Sequence, residues 1–585
     1  MSQENILYID LDKHSYRIDK EPALFDEFLG GTAVATELLF RYGKPDLDPY
    51  DAESPIIFAI GPFNGMYPVS TKTVSLFKSP LSGDLGESHA GGRMAMAMHE
   101  AYIDAIVIVG KSPEPVYIVI KDDSVKFIPA KTFWGQSCAA TERILKQAEG
   151  MGGRKLSILR IGAAGERLSP MACATVDESR HFGRMGLGGV MGSKNLKAVV
   201  ISGTKGVPID DPKAYNEVYN ELYDRIVNSK EMKKYHDLGT ASNILPLSNM
   251  RGLPTRNFSQ GSFESSRAIS GEEFARTHLV QHTACGHCPC GCIHLALLRD
   301  EFKPYHYINA KVSYDYELIY SLGSVLSLSD PQDILRLILF IEKQGWDAIS
   351  MGVTLGWAAD AYIRGIVTDS DTNGVAISFG DAAAFYEAMQ RCAKGENEFF
   401  RTLEKGAAAC AKKYGGKEFA IQYGGVEPGG YLTGENFIVT SLLGVRHSHL
   451  DDFGYSLDQK IANASADKIQ PLEDQVKAQV KDAQWRMILN SLVICLFGRG
   501  VYEEGIIVKG LNALGLDWDM PKLEKLAADT LKRKHEWKKL CGFDMDKLAE
   551  EGVPERMYRV HSVTGVSEKK NITERVKLYR KFAEI

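Results

Sequence analysis

Four cysteines fall within eight positions in TACGHCPCGCIHL, residues 283–295 of a 585-residue chain that holds only ten. Cys285, Cys288 and Cys292 stand in the order C-x2-C-x3-C on a turn containing Gly and Pro, with Cys290 between the last two. Thiolates this close together can converge on one soft metal centre. A structural zinc site ordinarily takes a second ligand pair about 12–20 residues away. Residues 300–315 supply only His306, so zinc is the weaker choice. The order C-x3-C-x2-C cannot be drawn from these positions, and the haem attachment motif fails because Pro289 follows Cys288. An iron–sulfur cubane needs four thiolates, three from this loop and one from elsewhere. Cys495, in the apolar LNSLVICLFG, is a candidate for the distant one, beside the plainer reading of a small buried hydrophobe.

Two glycine-rich segments, GESHAGGRMAMAMHEAYIDA (86–105) and RHFGRMGLGGVMGSKNLKAV (180–199), let a backbone approach something closely, with Arg93, Arg184, Lys194 and Lys197 nearby. Backbone N–H groups and guanidinium can cradle phosphate. Neither segment is a standard nucleotide motif. Met191 stands where the dinucleotide fingerprint needs its third glycine, and the lysine of GSKN follows serine where the P-loop needs glycine. That leaves a phosphate-bearing cofactor of another kind, or tight turns between strands.

The elements that must position these groups follow a simple division. SPIIFAIG, DAIVIVG, PVYIVI, KLSILRIG and LKAVVISG are short apolar runs closed by Gly or Pro, which predicts a sheet-rich region over the first two hundred residues. From Pro208 the pattern turns helical. DDPKAYNEVYNELYDRIVNS, DPQDILRLILFIEKQG, GDAAAFYEAMQRCAKG and MPKLEKLAADTLKRKHEWKKL each open on Asp or Pro or just after Gly and repeat apolar residues three and four apart. The glycine-rich YGGVEPGGYLTGE, residues 423–435, reads as a further break. A formal net charge of −6 leaves no basic field for nucleic acid or anionic lipid. No apolar run approaches the ~18 residues of a membrane span. The N-terminal MSQENILYIDLDKHSYRIDK lacks a leader pattern and reads as two strands, so the expected location is cytoplasmic.

Three separated stretches then agree with one family. KSPLSGDLGESHAGG, GRMGLGGVMGSKNLKAVVISGTK and the C-x2-C-x3-C loop resemble the tungsten-containing aldehyde:ferredoxin oxidoreductases in order and spacing, and LCGFDMDKLAEEGVPERMY resembles their ending. The resemblance implies an α+β fold in three parts. A sheet-rich base at 1–208 carries two pyranopterins that chelate tungsten or molybdenum. A helical domain at 209–424 holds the iron–sulfur loop and first pterin motif, and a second at 425–585 holds an active-site histidine and the fourth cluster cysteine.

Carried over residue by residue, the resemblance places a [4Fe-4S] cluster on Cys285, Cys288, Cys292 and Cys495, leaving Cys290 spare. Phosphate contacts fall on Lys72, Gly91, Gly92, Arg184 and Gly186, and the carbonyls of His89 and Met185 face a Mg2+ that bridges the pterin phosphates. Lys72 stands where the family has arginine, exchanging a fork for a point charge, and His89 where it has asparagine. The first pterin motif, D-x-x-G-L-D, corresponds to EKQGWD, with Glu342 and Trp346 substituted and Gly345 and Asp347 kept. The second, D-x-x-G-L-C, corresponds to NSLVIC, where Asn490, Val493 and Ile494 replace all but the cysteine.

The same resemblance places a proton-accepting carboxylate at Glu317, in YDYELIYSLG, and a hydrogen-bond donor to the carbonyl oxygen at His449, in LLGVRHSHLDDFG. His447 has no counterpart; it either shapes the pocket or faces solvent. The implied activity is oxidation of a small aldehyde to a carboxylic acid, with electrons leaving singly through the cluster to ferredoxin or a ferredoxin-like subunit, in a homo- or hetero-oligomer. Two rivals remain. One is a subunit of a reductase complex acting on activated aromatic or carboxylate substrates; the other is a non-catalytic iron–sulfur electron-transfer subunit.

Overall fold

The computed structural model describes residues 4–150, 156–206, 208–303 and 306–585. Its strands up to Ser202 are β1 (Asn5–Asp10), β2 (Ser15–Lys20), β3 (Ile56–Ala59), β4 (Thr73–Lys78), β5 (Leu85–Ala90), β6 (Ala105–Val109), β7 (Val116–Lys121), β8 (Ser124–Pro129), β9 (Leu156–Ile161), β10 (Ala174–Val176), β11 (Arg180–Phe182) and β12 (Leu196–Ser202). They form two six-stranded sheets, ordered β2-β1-β6-β3-β4-β5 and β11-β10-β9-β12-β7-β8. The apolar runs build their interior: Leu7, Ile9, Ile56, Phe58 and Ile106 of the first sheet share one core with Ile118, Leu159, Phe182 and Val199 of the second. Strands buried on both faces read as continuous hydrophobic runs, which is why these segments carry so little alternation.

Helices follow, and their starts are set by side-chain caps. Asp211, Asp330, Asp381 and Asp519 each accept hydrogen bonds from the first-turn amides of the helices Pro212–Val227, Pro331–Gln344, Ala382–Lys394 and Met520–Leu540. The division expected at 208–209 falls just after Val207, which lies outside the described residues. Among the described residues no helix is long and apolar enough to cross a membrane.

Two features depart from the sequence expectations. A three-stranded antiparallel sheet, β13 (Leu279–Thr283), β14 (Ile293–Lys303) and β15 (His306–Tyr314), interrupts the helical region, and the cysteine loop is the connection between β13 and β14. Residues 293–296 are all buried, so the first half of β14 shows no period of two. The glycine-rich 423–435 stretch, expected as a break, runs through the interior: residues 426–434 are all buried. The long helix Met520–Leu540 is tied to the base by Lys534, which pairs with Glu87 of β5 at 2.5 Å with both side chains wholly buried.

Candidate functional site

The sheets and helices meet around a cavity of about 420 Å³. Its walls are drawn from the β4–β5 region, the β10–β11 turn, the cysteine loop, the Tyr316 and Trp346 turns, and residues 431–497. Cys285, Cys288, Cys290, Cys292 and Cys495 all face it. Backbone hydrogen bonds hold the distant cysteine against the loop. Val69 N–H donates to the His287 carbonyl at 3.2 Å, the Val69 carbonyl accepts from Cys495 N–H at 3.0 Å, and Gly286 N–H donates to the Gly92 carbonyl at 2.9 Å. Among the described residues no group of three or more His, Cys, Asp or Glu is arranged to hold a single metal ion. A mononuclear zinc site requires such convergence; a cubane does not, because each thiolate meets a different iron.

Gly91 shows how tightly this corner is built. A β-carbon there would lie 2.6 Å from Sγ of Cys285, 3.4 Å from Nζ of Lys72 and 3.5 Å from Cδ of Arg180. Only glycine leaves room for a thiol and two cationic side chains to meet at one point. The Lys72 backbone N–H donates to the Val493 carbonyl at 3.3 Å, while its side-chain ammonium has no hydrogen bond or ion pair among the described residues. Burial works against its charge, but the neighbouring thiols of Cys495 and Cys285 raise its pKa overall.

On the opposite wall Arg184 donates through Nε to Asp347 Oδ2 at 3.0 Å and through its second terminal nitrogen to the Glu427 carbonyl at 2.5 Å. Its remaining terminal nitrogen is buried without a partner. Asp347 caps the helix Ala348–Ile363, and Gly345, in the left-handed region at φ +78°, ends the helix that carries Glu342. Burial pushes the Glu342 carboxyl up to about 8. The Trp346 indole donates to Glu404 at 2.8 Å. His89 bonds through Nε2 to Glu87 at 2.7 Å, and its pKa is pushed down to about 4 by burial. Asn490 and Ile494 line the same cavity, and the Asn490 side-chain nitrogen is a buried donor without a partner.

Met185, Gly186, Gly92 and Gly345 stand behind the lining. Met185 adopts φ +70° and its carbonyl accepts from the Ser79 hydroxyl at 2.8 Å. A side chain at Gly186 would strike Pro80 and the Pro170 carbonyl. Of Arg93, Arg184, Lys194 and Lys197, only Arg184 reaches the cavity, together with Arg180 at the start of the second segment. Arg93 pairs with Glu100 at 3.0 Å, Lys194 is spent on the Ala52 and Gly110 carbonyls, and Lys197 pairs with Glu166.

Glu317 and His449 face one another in the same space. Asp315 caps a short helix Tyr316–Ile319 that runs into a π-helical turn, Tyr320–Ser324, a distortion frequent at functional sites. Glu317 Oε1 lies 3.3 Å from His449 Nε2, too poorly aligned for a hydrogen bond, while Oε2 accepts from Gly430 N–H at 3.0 Å. Burial pushes Glu317 up to about 8. Burial, with Arg184, Arg486 and Arg446 nearby, pushes His449 down to about 3. The pair is therefore a neutral acid beside a neutral imidazole near pH 7. His447 neither shapes the pocket nor meets solvent: it is buried, with Nδ1 against the Ser441 carbonyl at 2.9 Å and Nε2 against Lys538 at 2.8 Å.

Residues 6–203 match the family model for the aldehyde ferredoxin oxidoreductase N-terminal domain, and residues 217–583 match that for domains 2 and 3. The chain belongs to the aldehyde ferredoxin oxidoreductase family. It is 34% identical over 413 residues to a tungsten-containing aldehyde ferredoxin oxidoreductase of Pyrococcus horikoshii, a match covering 68% of this chain and 66% of that relative, just under two thirds. It is 28% identical over 401 residues to the aliphatic sulfonate oxidoreductase, WOR-like subunit, of Pyrococcus furiosus, covering 66% and 63%. The fold matches a chain of the active-site complex BamBC of benzoyl coenzyme A reductase with a TM-score of 0.84 and 19% identity, covering 100% of this chain and 94% of that one.

An aldehyde ferredoxin oxidoreductase is an oxidoreductase of a tungsten-containing, pterin-using family, and the donor set here fits such a group. Lys72, Arg180, Arg184, Arg446 and Arg486 line the cavity against Asp315, Glu317, Glu342 and Asp347. Glu317 and Glu342 are largely uncharged near neutral pH. Arg184, Arg446 and Arg486 are paired to Asp347, Asp451 and Asp482, so Lys72 and Arg180, without an ion pair among the described residues, are the cations that suit phosphate, and the unpartnered Arg184 and Asn490 donors suit a polar heterocycle.

Sequence reasoning missed Arg180, Arg446, Arg486 and the glycine pair 429–430. A side chain at Gly429 would collide with His449 Nδ1, and one at Gly430 with the Tyr320 ring. The glycine-rich composition of 423–435 carried that signal, but a tight wall and a loose linker look alike in composition.

Proposed function

We propose that this chain oxidises an aldehyde to a carboxylic acid, with water as the oxygen source, and passes the two electrons singly to ferredoxin or a ferredoxin-like subunit. The observation that carries this reading is the approach of Glu317 to His449 within one buried, cation-rich cavity. A tungsten or molybdenum bis-pterin, when bound, accepts the electron pair from the substrate. The chain's own residues do the rest. His449, uncharged, donates through its ring N–H to the carbonyl oxygen and polarises the carbon. Glu317, held in its ionised form by the Gly430 N–H that donates to Oε2, takes a proton from water or from the aldehyde hydrate and becomes the neutral acid.

In the same reading Cys285, Cys288, Cys292 and Cys495 would hold a [4Fe-4S] cluster, which would supply one-electron transfer. Lys72, Gly91, Gly92, Arg184 and Gly186 would hold the pterin phosphates, and the carbonyls of His89 and Met185 would supply oxygen ligands to a Mg2+, as backbone groups that tolerate the side-chain changes. Glu342, Gly345, Trp346, Asp347, Asn490 and Ile494 form the two pterin edges. The division into 1–208, 209–424 and 425–585 is kept as the proposed domain scheme.

The test is aldehyde-dependent reduction of a one-electron dye by anaerobically purified protein, run beside acyl-thioester substrates. Turnover with aldehydes and none with thioesters is expected. Turnover with thioesters alone would replace this reading with the reductase one.

A further inference from the structure

Arg180 is a cation without an ion-pair partner at the junction between the cysteine loop and the cofactor cavity, where the carboxyls of Asp315 and Glu342 feel its charge from farther away. It lines that cavity, and its side-chain stem shares the Gly91 corner with Cys285 and Lys72. Its Nε donates to the Ser179 carbonyl at 2.6 Å and one terminal nitrogen to the Ser313 hydroxyl at 3.2 Å. Both partners are neutral, and among the described residues no carboxylate lies within ion-pair distance. The contrast with the other cavity arginines is plain: Arg184 is paired to Asp347, Arg446 to Asp451 and Arg486 to Asp482. A half-buried guanidinium is costly to leave unpaired unless something anionic belongs beside it.

We propose that Arg180 is a charge-compensating residue for the iron–sulfur cluster, offsetting the negative charge that arrives each time an electron passes from the cofactor to the cluster. The inference rests on the cluster assignment proposed above. The step forms and breaks no bond: one electron leaves the reduced cofactor, the cluster gains one unit of negative charge, and the fixed guanidinium faces it. A unit charge several ångströms away in a protein of effective dielectric about 20 changes a one-electron equilibrium by about tenfold or more. Arg180 belongs to β11 and its partner Ser313 to β15, so the sheet-rich base and the cysteine-loop sheet together fix its position.

The experiment is a potentiometric titration of the cluster, read by electron paramagnetic resonance, in holoenzyme carrying Arg180→Gln, Arg180→Lys or Ser313→Ala, with iron, tungsten and pterin measured on each sample. Arg180→Gln should keep its iron and reduce at a more negative potential. The ratio of reduced to oxidised cluster at a fixed poise should fall about tenfold, equivalent to about 59 mV for a one-electron couple. Arg180→Lys, which keeps the charge, should stay within about twofold of wild type. Should Arg180→Gln fail to assemble, Ser313→Ala should lower the ratio by at least about twofold, since it frees the fork without removing the charge. An unchanged ratio in iron-replete Arg180→Gln, or in Ser313→Ala, would overturn the inference. So would loss of tungsten and pterin with an unmoved cluster ratio, which would make Arg180 a cofactor anchor. Wild-type protein without iron would overturn the cluster assignment itself.

Discussion

Nε2 of His449 lies 3.3 Å from Oε1 of Glu317, with Glu317 carried by the short helix Tyr316–Ile319 after β15 and His449 by the loop before Asp451. Glu317 accepts protons only when ionised, and burial holds its carboxyl at about 8. Turnover should therefore rise with pH through about 8. The raised pKa also means that the folded chain keeps a proton the unfolded chain has released above its ordinary 4.5. This group's contribution to stability accordingly falls as pH increases between those values. Glu317→Gln should lower turnover by about 10²–10⁴-fold and remove the alkaline rise, with metal content unchanged. A Glu317→Gln enzyme that keeps wild-type turnover would remove this carboxyl from the chemistry.

Gly429 packs where any side chain would meet His449 Nδ1. Gly429→Ala should displace the imidazole, and a misplacement of about 1 Å costs roughly 10²-fold in rate. Iron and tungsten should be retained. Steady-state kinetics with metal analysis on the same sample separates this from unfolding.

The lesson for reading such a chain lies in these two positions. Glu317 and His449 could be singled out only by resemblance, because a lone carboxylate and a lone histidine carry no spacing signal of their own. The cysteine loop was legible directly, since clustering is itself the pattern, and the capped helices and doubly buried strands followed from Asp-Pro starts and unbroken apolar runs. What stayed hidden was long-range. Nothing local to Cys495 marks its hydrogen bond to Val69, and nothing local to Arg180 shows that it lacks a carboxylate. Both facts arise only when distant segments meet.

Each ligand cysteine should behave alike. Alanine at Cys285, Cys288, Cys292 or Cys495 should lower iron from about four per chain, whereas Cys290→Ala should keep it, because the Cys290 thiol, though it faces the same cavity, donates to the Met232 carbonyl at 3.7 Å. Iron loss in Cys290→Ala with retention in Cys292→Ala would exchange their roles.

The Lys534–Glu87 pair joins the helix Met520–Leu540 to β5 of the first sheet. Removing one partner of a buried ion pair costs about 3–5 kcal/mol. Lys534→Met should lower the apparent melting temperature, and Lys534→Met combined with Glu87→Gln should recover part of the loss. A single replacement that leaves the melting temperature unmoved would show that the pair contributes nothing to holding the halves together.

The central claim is that one cavity holds both a heavy-metal pterin centre and an iron–sulfur cluster. Elemental and pterin analysis of anaerobically purified protein, grown with tungstate and molybdate both supplied, tests it most directly. The account predicts about four irons with tungsten or molybdenum and two pterins per chain. Iron alone, with neither heavy metal nor pterin, would contradict it and leave an electron-transfer subunit in its place.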